Sequence, residues 1–167
     1  MNGDANIVGQ TGEAGSPAAG KNPDWFAHPF LHAMSGPHLA ALSSCAMPTG
    51  FDAGQLIFRE GEIANRFYLI LAGQVQLEAE AADRPGVLVE YVGAGDILGW
   101  SWLFPPYTWN FTARTVEPVR AIFFYGTWLR DRCEAEPAFG FDLMKRTAAV
   151  AIRRLQATRR QLVRATT

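Results

Sequence analysis

Hydrophobic side chains follow two rhythms along this chain. Between Gln55 and Phe124 the apolar runs are short and largely alternate with polar residues, as in strands, while after Tyr125 they return at helical spacing. Gln55–Arg59 reads as a strand following a turn at Gly54, and Phe67–Leu71 as a second. After a turn at Ala72-Gly73, Gln74–Glu80 alternates, with Val75 and Leu77 on one face and Gln74, Gln76 and Glu78 on the other. Ala81–Gly86 reads as a loop and Val87–Val92 as a strand. Gly93 to Gly99, with three glycines and an aspartate, reads as turn. Thr112–Phe124 returns to strand, with Pro118 at an edge or bend. Short strands joined by glycine turns predict a β-sandwich, roll or barrel.

Helical spacing flanks this region on both sides. From Asp24 to Ala46 it runs through Phe26, Phe30, Leu31, Met34, Leu39 and Leu42, with Pro29 and Pro37 expected to break it into short helices. Thr127–Glu136 predicts a short helix, and Pro137 suits the first turn of a new one. From there Phe141, Met144, Ala148, Ala151, Leu155 and Leu162 repeat to about Arg164. A helix of about 28 residues is roughly 40 Å long. That exceeds what one small domain covers, so part of it should find another helix. Residues 1–22, rich in Gly, Ala, Ser and Asn without periodicity, read as a flexible tail. The expected organisation is a tail over 1–22, short helices and a β-roll over 23–136, and a long helix over 137–167.

Composition narrows the class. The 167 residues suffice for one domain with a true core. A formal net charge of −1 argues against a generic nucleic-acid or membrane binder. No apolar run approaches the roughly 18–20 residues of a membrane span, and the N-terminus shows no secretory pattern. Cys45 and Cys133 suit reduced thiols in a cytoplasmic protein, and two thiols cannot ligate a typical iron–sulfur cluster. His28 and His32 stand four apart, as helical metal ligands can, but Pro29 separates them and no third ligand suggests itself, which favours a surface or interface role. No metal and no cofactor is expected.

Three segments carry a resemblance. Phe51-Asp-Ala-Gly-Gln-Leu-Ile-Phe-Arg-Glu-Gly-Glu62 resembles the opening strand and turn of the cyclic-nucleotide-binding domain of the catabolite-activator/fumarate–nitrate-regulator superfamily. Phe67-Tyr-Leu-Ile-Leu-Ala-Gly-Gln-Val-Gln-Leu77 resembles its strand–Gly–strand hairpin, and Gly93-Ala-Gly-Asp-Ile-Leu-Gly99 the approach to its phosphate-binding cassette. The resemblance covers roughly residues 24–164. It implies a mainly β fold with flanking helices, a double-stranded β-helix or jelly-roll, followed by a long C-terminal helix.

In that family the cassette begins Gly-Glu and ends near Arg-Ser-Ala. The glutamate accepts from the ribose hydroxyl and the arginine pairs with the cyclic phosphate, as a buried phosphate charge requires. Here Leu98 and Gly99 lead into the cassette. An ungapped register places Trp100 at the glutamate, Trp109 at the arginine, Asn110 at the serine and Phe111 at the alanine. A two-residue shift places Phe111 and Thr112 at the arginine and serine instead. Either register removes the arginine. Arg114 lies five residues past Trp109, an offset that points it to the other face of a regular strand.

The stretch from Gly99 to Phe111 holds six aromatic side chains and no charge. Four readings stand open. The rings fill the vacated pocket, since an empty apolar cavity costs stability. Or Trp100, Trp102, Trp109 and Phe111 line a pocket for a flat or apolar small molecule, with Ser101 and Asn110 orienting it. Or some rings are exposed and dock a protein. Or a cyclic nucleotide binds through backbone N–H groups. Ser101 has no nucleophile-elbow context, and no catalytic constellation is found, so the chain is expected not to be an enzyme.

The terminal helix implies a homodimer by resemblance, and Arg-Leu-Gln-Ala-Thr158 resembles the stretch from which family members touch the base, with Thr158 as the hydroxyl. From Ala138 to Thr167 there are seven Lys/Arg and a single acid, Asp142, a local balance of +6 against −7 for the rest. A solvated face, an acidic protein partner or the acidic roll of a second subunit accounts for it. Nucleic acid is the least expected partner, because the chain stops at Thr167 with no reading module. The expectation is a regulatory or sensor module that does not hold cyclic AMP or cyclic GMP in the usual way and lacks a DNA-binding domain. The alternatives are an accessory subunit with a plugged pocket, or a cyclic-nucleotide receptor with unusual contacts.

Overall fold

The computed structural model describes residues 23–81 and 84–165. The tail expected over residues 1–22 lies outside the described residues. Eight strands follow in chain order: β1 (Met47–Phe51), β2 (Leu56–Phe58), β3 (Arg66–Ala72), β4 (Gln74–Ala81), β5 (Arg84–Gly93), β6 (Ile97–Leu98), β7 (Thr112–Thr115) and β8 (Val119–Tyr125). They form two antiparallel four-stranded sheets, ordered β1-β8-β3-β6 and β2-β7-β4-β5. Three helices flank them: α1 (Gly36–Ser43), α2 (Gly126–Ala135) and the 29-residue α3 (Pro137–Ala165). The fold is the expected jelly-roll with a long C-terminal helix.

The two sheets carry different sequence signatures because they are covered differently. In β3, Phe67 and Leu69 pack with Trp25, Phe30, Leu129, Phe139 and Leu143 of the helical elements. Their neighbours Tyr68 and Ile70 face inward with Val75, Val92 and Val119. A strand buried on both faces reads as a continuous apolar run. By contrast β4 keeps Val75 and Leu77 inside and turns its polar positions out.

As expected, Pro29 and Pro37 divide the N-terminal segment into short helices, with Pro37 in the first turn of α1, where a missing N–H costs nothing. Two expectations are corrected. The Gly93–Gly99 stretch contains the two-residue β6, which pairs with Tyr68 and Leu69. The 112–124 run splits around Pro118 into β7 and β8, which lie in different sheets.

Helix α3 is docked along its first half. Phe139, Leu143, Thr147 and Val150 are buried against the roll and the N-terminal segment. Arg146 ties the helix down, donating to the carbonyls of Phe30 (2.9 Å) and His32 (2.8 Å) and pairing with Asp142 (2.7 Å). His38 of α1 reaches the same Asp142 at 3.1 Å. Phe141, Met144, Ile152 and Leu155 of the same helix remain exposed. Among the described residues no helix is long and apolar enough to cross a membrane.

Candidate functional site

A cavity of about 260 Å³ lies between the roll and α3. Eight of the nine expected site residues border it: Leu98, Gly99, Trp100, Ser101, Trp109, Asn110, Phe111 and Thr158. The chain turns into it at Gly99, whose φ of 85° is left-handed. A Cβ there would stand 2.8 Å from the Trp109 ring and 3.1 Å from the Arg66 carbonyl, so glycine is required twice over. Gly99 opens a single 3₁₀ turn, Trp100–Leu103. Trp109 stacks flat on Phe58 of β2, with ring centroids 3.9 Å apart, and is 4% exposed. One ring therefore fills the floor of the roll while an open space remains above it.

The ninth residue, Trp102, is elsewhere. It is fully buried on the helical side of the β1-β8-β3-β6 sheet, tilted against Phe67, and its carbonyl accepts from Arg130 (2.6 Å). The reason is local: three residues per turn set successive side chains about 120° apart, so Trp100 and Trp102 cannot share a face.

The site also holds a charge pair that the cassette reading missed. Arg154 of α3 donates from Nη2 to the Ile97 carbonyl at 2.7 Å, and its Nε lies 3.4 Å from Glu90 Oε1. Its guanidinium sits 4.9 Å above the Trp100 ring. Burial pushes the Glu90 carboxyl above its ordinary value, with Arg154 pulling the other way. Burial likewise draws the Arg154 guanidinium down, opposed by Glu90 and Asp96. Both residues were findable. Glu90 stands two before Val92 and pairs with inward-facing Leu77, so it shares the inner face of β5. Arg154 follows Phe139, Leu143, Thr147 and Val150 at helical spacing, on the docked stripe rather than the solvated one. Phe58, Leu77, Val89, Ala151 and Leu155 complete the lining.

The remaining candidates go elsewhere. Arg114 points away, as its offset predicted, and donates to the Gly54 carbonyl at 3.1 Å. Ser101 Oγ accepts from the Asn110 carboxamide at 3.3 Å rather than facing a base. His28 is buried, not on a surface: its Nδ1 accepts from the Phe30 N–H at 3.2 Å, and burial lowers its pKa. His32 is exposed beside it. No group of three or more His, Cys, Asp or Glu among the described residues is placed to hold a metal ion. Cys45 and Cys133 are free, and burial pushes the Cys45 thiol up to about 12.

Comparison with known proteins falls on this same region. The family described as cyclic nucleotide-binding domain matches residues 48–135. A CRP-like cAMP-activated global transcriptional regulator from Mycobacterium tuberculosis (strain CDC 1551 / Oshkosh) is 31% identical over 124 residues, covering 74% of this chain and 54% of the relative. The chain thus spans about half the length of that curated relative. A cyclic nucleotide-binding-type protein from Geobacter metallireducens GS-15 superposes with a TM-score of 0.69 at 31% identity, over 75% of this chain and 91% of that one. The catabolite activator protein of Thermus thermophilus shares the fold at a TM-score of 0.65 and 20% identity, over 83% of this chain and 63% of that one.

Proposed function

This chain belongs to the cyclic nucleotide-binding domain family, and from that premise we propose that it is a non-catalytic cytoplasmic sensor module whose pocket reports through α3. The observation that carries the reading is that Ala151, Leu155 and Thr158 serve two surfaces at once. They line the cavity with Trp100 and Trp109. They also fall on a heptad stripe, in which Phe141, Ala148 and Leu155 recur every seven residues, with Met144, Ala151 and Thr158 three positions on. Phe141 is 71% exposed and Leu155 56%, so this stripe lies away from the docked face. A second copy of α3 is the occupant we assign to it, giving a homodimer. Ligand and partner helix then meet the same side chains.

The pocket is not built for a cyclic phosphate in the family's usual way. The cassette carries Trp100 and Trp109 in place of the acid and the arginine, and the cation present, Arg154, is already matched by Glu90. The plugged accessory subunit draws support from Trp109 stacked on Phe58, yet the open volume above that ring favours the sensor.

Sedimentation and thermal unfolding test the reading together. Wild type is expected to sediment as a dimer at micromolar concentration. Ala148→Glu, which sets like charges facing across the stripe without touching the pocket, is expected to weaken pairing by about tenfold or more. Cyclic AMP and cyclic GMP should leave the melting temperature unchanged. A strict monomer overturns the dimer. A stabilisation near 2.7 kcal/mol, roughly the effect of a ligand at a hundredfold excess over Kd, overturns the departure from the family's ligand.

A further inference from the structure

Size, shape and charge of the cavity limit what it accepts. An apolar cavity of about 150 Å³ holds one benzene ring. The space here, about 260 Å³ and half open to solvent, has room for two fused rings. Phe58, Trp100, Trp109 and Phe111 give it aromatic walls. Its charged feature is the Glu90–Arg154 pair, which is neutral as a unit, and Asp96 adds a further negative field at Arg154; Ser101, Asn110 and Thr158 are its uncharged polar side chains. An incoming anion would meet no unopposed cation, and an uncompensated charge out of water costs several kcal/mol. A neutral molecule leaves the pair intact.

Among the described residues, the hydrogen-bonding capacity of that pair is only partly used. A guanidinium has five N–H donors. Ile97 takes one, and Nε faces Glu90. The Glu90 carboxylate keeps acceptor positions beyond the one facing Arg154, in surroundings that raise its pKa by burial. Both residues line the cavity, so a donor-bearing and an acceptor-bearing side chain border it together.

We propose that the pocket takes a neutral, flat, two-ring heteroaromatic molecule with a ring N–H beside a carbonyl, the N–H donating to Glu90 and the carbonyl accepting from Arg154. The proposal rests on the sensor reading of the same cavity. It gives Arg154 a second task, joining the ligand to α3 through the residue that already straps that helix to Ile97.

The test is a titration of the full chain, read by tryptophan fluorescence and calorimetry. The probes are 2-quinolone, its N-methyl derivative, 1-naphthoate and cyclic AMP. The lactam 2-quinolone is expected to bind about tenfold tighter than the N-methyl compound, which lacks the donor, and than 1-naphthoate, which has the rings but a negative charge. Glu90→Gln, with its melting temperature checked to confirm folding, is expected to weaken 2-quinolone and tighten 1-naphthoate. If 1-naphthoate or cyclic AMP binds wild type as tightly as 2-quinolone, the ligand class is overturned while the sensor reading stands. If no probe changes fluorescence or heat up to about 1 mM, the ligand class is overturned, while the sensor reading is decided separately by sedimentation.

Discussion

Trp102 and Trp109 leave the same uncharged segment for opposite faces of one sheet. Trp102 goes to the helical side, where it is fully buried against Phe67 and beneath α2. Trp109 goes inside the roll, stacks on Phe58 and borders the cavity. Each tryptophan lies against a glycine. A Cβ on Gly126 would meet the Trp102 Cβ at 2.7 Å, and one on Gly99 would meet the Trp109 ring at 2.8 Å. The difference separates two tasks within one loop: one ring joins the roll to its helices, the other shapes a binding space.

The largest expected effect tests that division. Trp102→Ala should cost about 3–5 kcal/mol in urea unfolding, the range for a large aromatic removed from a packed core. Trp109→Ala should cost less, about 2–3 kcal/mol, because its ring already borders open volume and fewer contacts are lost. Equal costs would mean that both rings are structural and that the cavity has no separate role.

The glycines sharpen the same contrast. Gly99→Ala should cost about 2–4 kcal/mol, combining left-handed strain on a residue with a Cβ and overpacking against Trp109. Gly126 has no such backbone demand, so Gly126→Ala should cost about 1–3 kcal/mol from crowding Trp102 alone. Thermal unfolding of the pair checks it. A Gly126 variant worse than the Gly99 variant would show that the helical face tolerates less than the roll interior.

The legible part of this molecule was the part governed by local rules. Alternation in Gln74–Glu80 and helical spacing after Pro137 gave β4 and α3 nearly to the residue. The cassette glycine, Gly99, gave the turn into the pocket. What failed depended on which side a residue faced after tertiary packing. Trp100 and Trp102 are close in sequence, yet a 3₁₀ turn sends them apart. Arg154 belongs to a basic run by sequence, but a segment's net charge does not say which helix face each residue occupies, and Arg154 is on the docked one. Glu90 lies outside the cassette, and its alternation with Val92 in β5 is the signal that marks it as inward. A segment can therefore lose its own charged residues while its site regains them from distant strands and helices.

The smallest expected effect compares the two regions through their acids. Asp142 lies on the helical side. Burial pushes its carboxyl up, but hydrogen bonds and charge from His38 and Arg146 outweigh this and hold it below the ordinary 3.8. Its stabilisation is present above that value and is lost as pH falls through the depressed folded pKa. Glu90 lies in the pocket, and burial holds its carboxyl above the ordinary 4.5 despite Arg154. Its contribution runs the other way, complete below 4.5 and lost as pH rises through the elevated folded pKa. Asp142→Asn should therefore be less stable than wild type at neutral pH, with the gap closing below about 4. Glu90→Gln should match wild type in acid and gain on it as pH rises, by less than about 1 kcal/mol for so partly exposed a pair. Chemical denaturation across pH 3 to 7 reads both slopes. If Glu90→Gln instead lost ground with rising pH, Glu90 would be stabilising the fold as Asp142 does. Opposite slopes would mean that the pocket keeps an acid the fold does better without, as expected where a side chain is retained for a ligand rather than for stability.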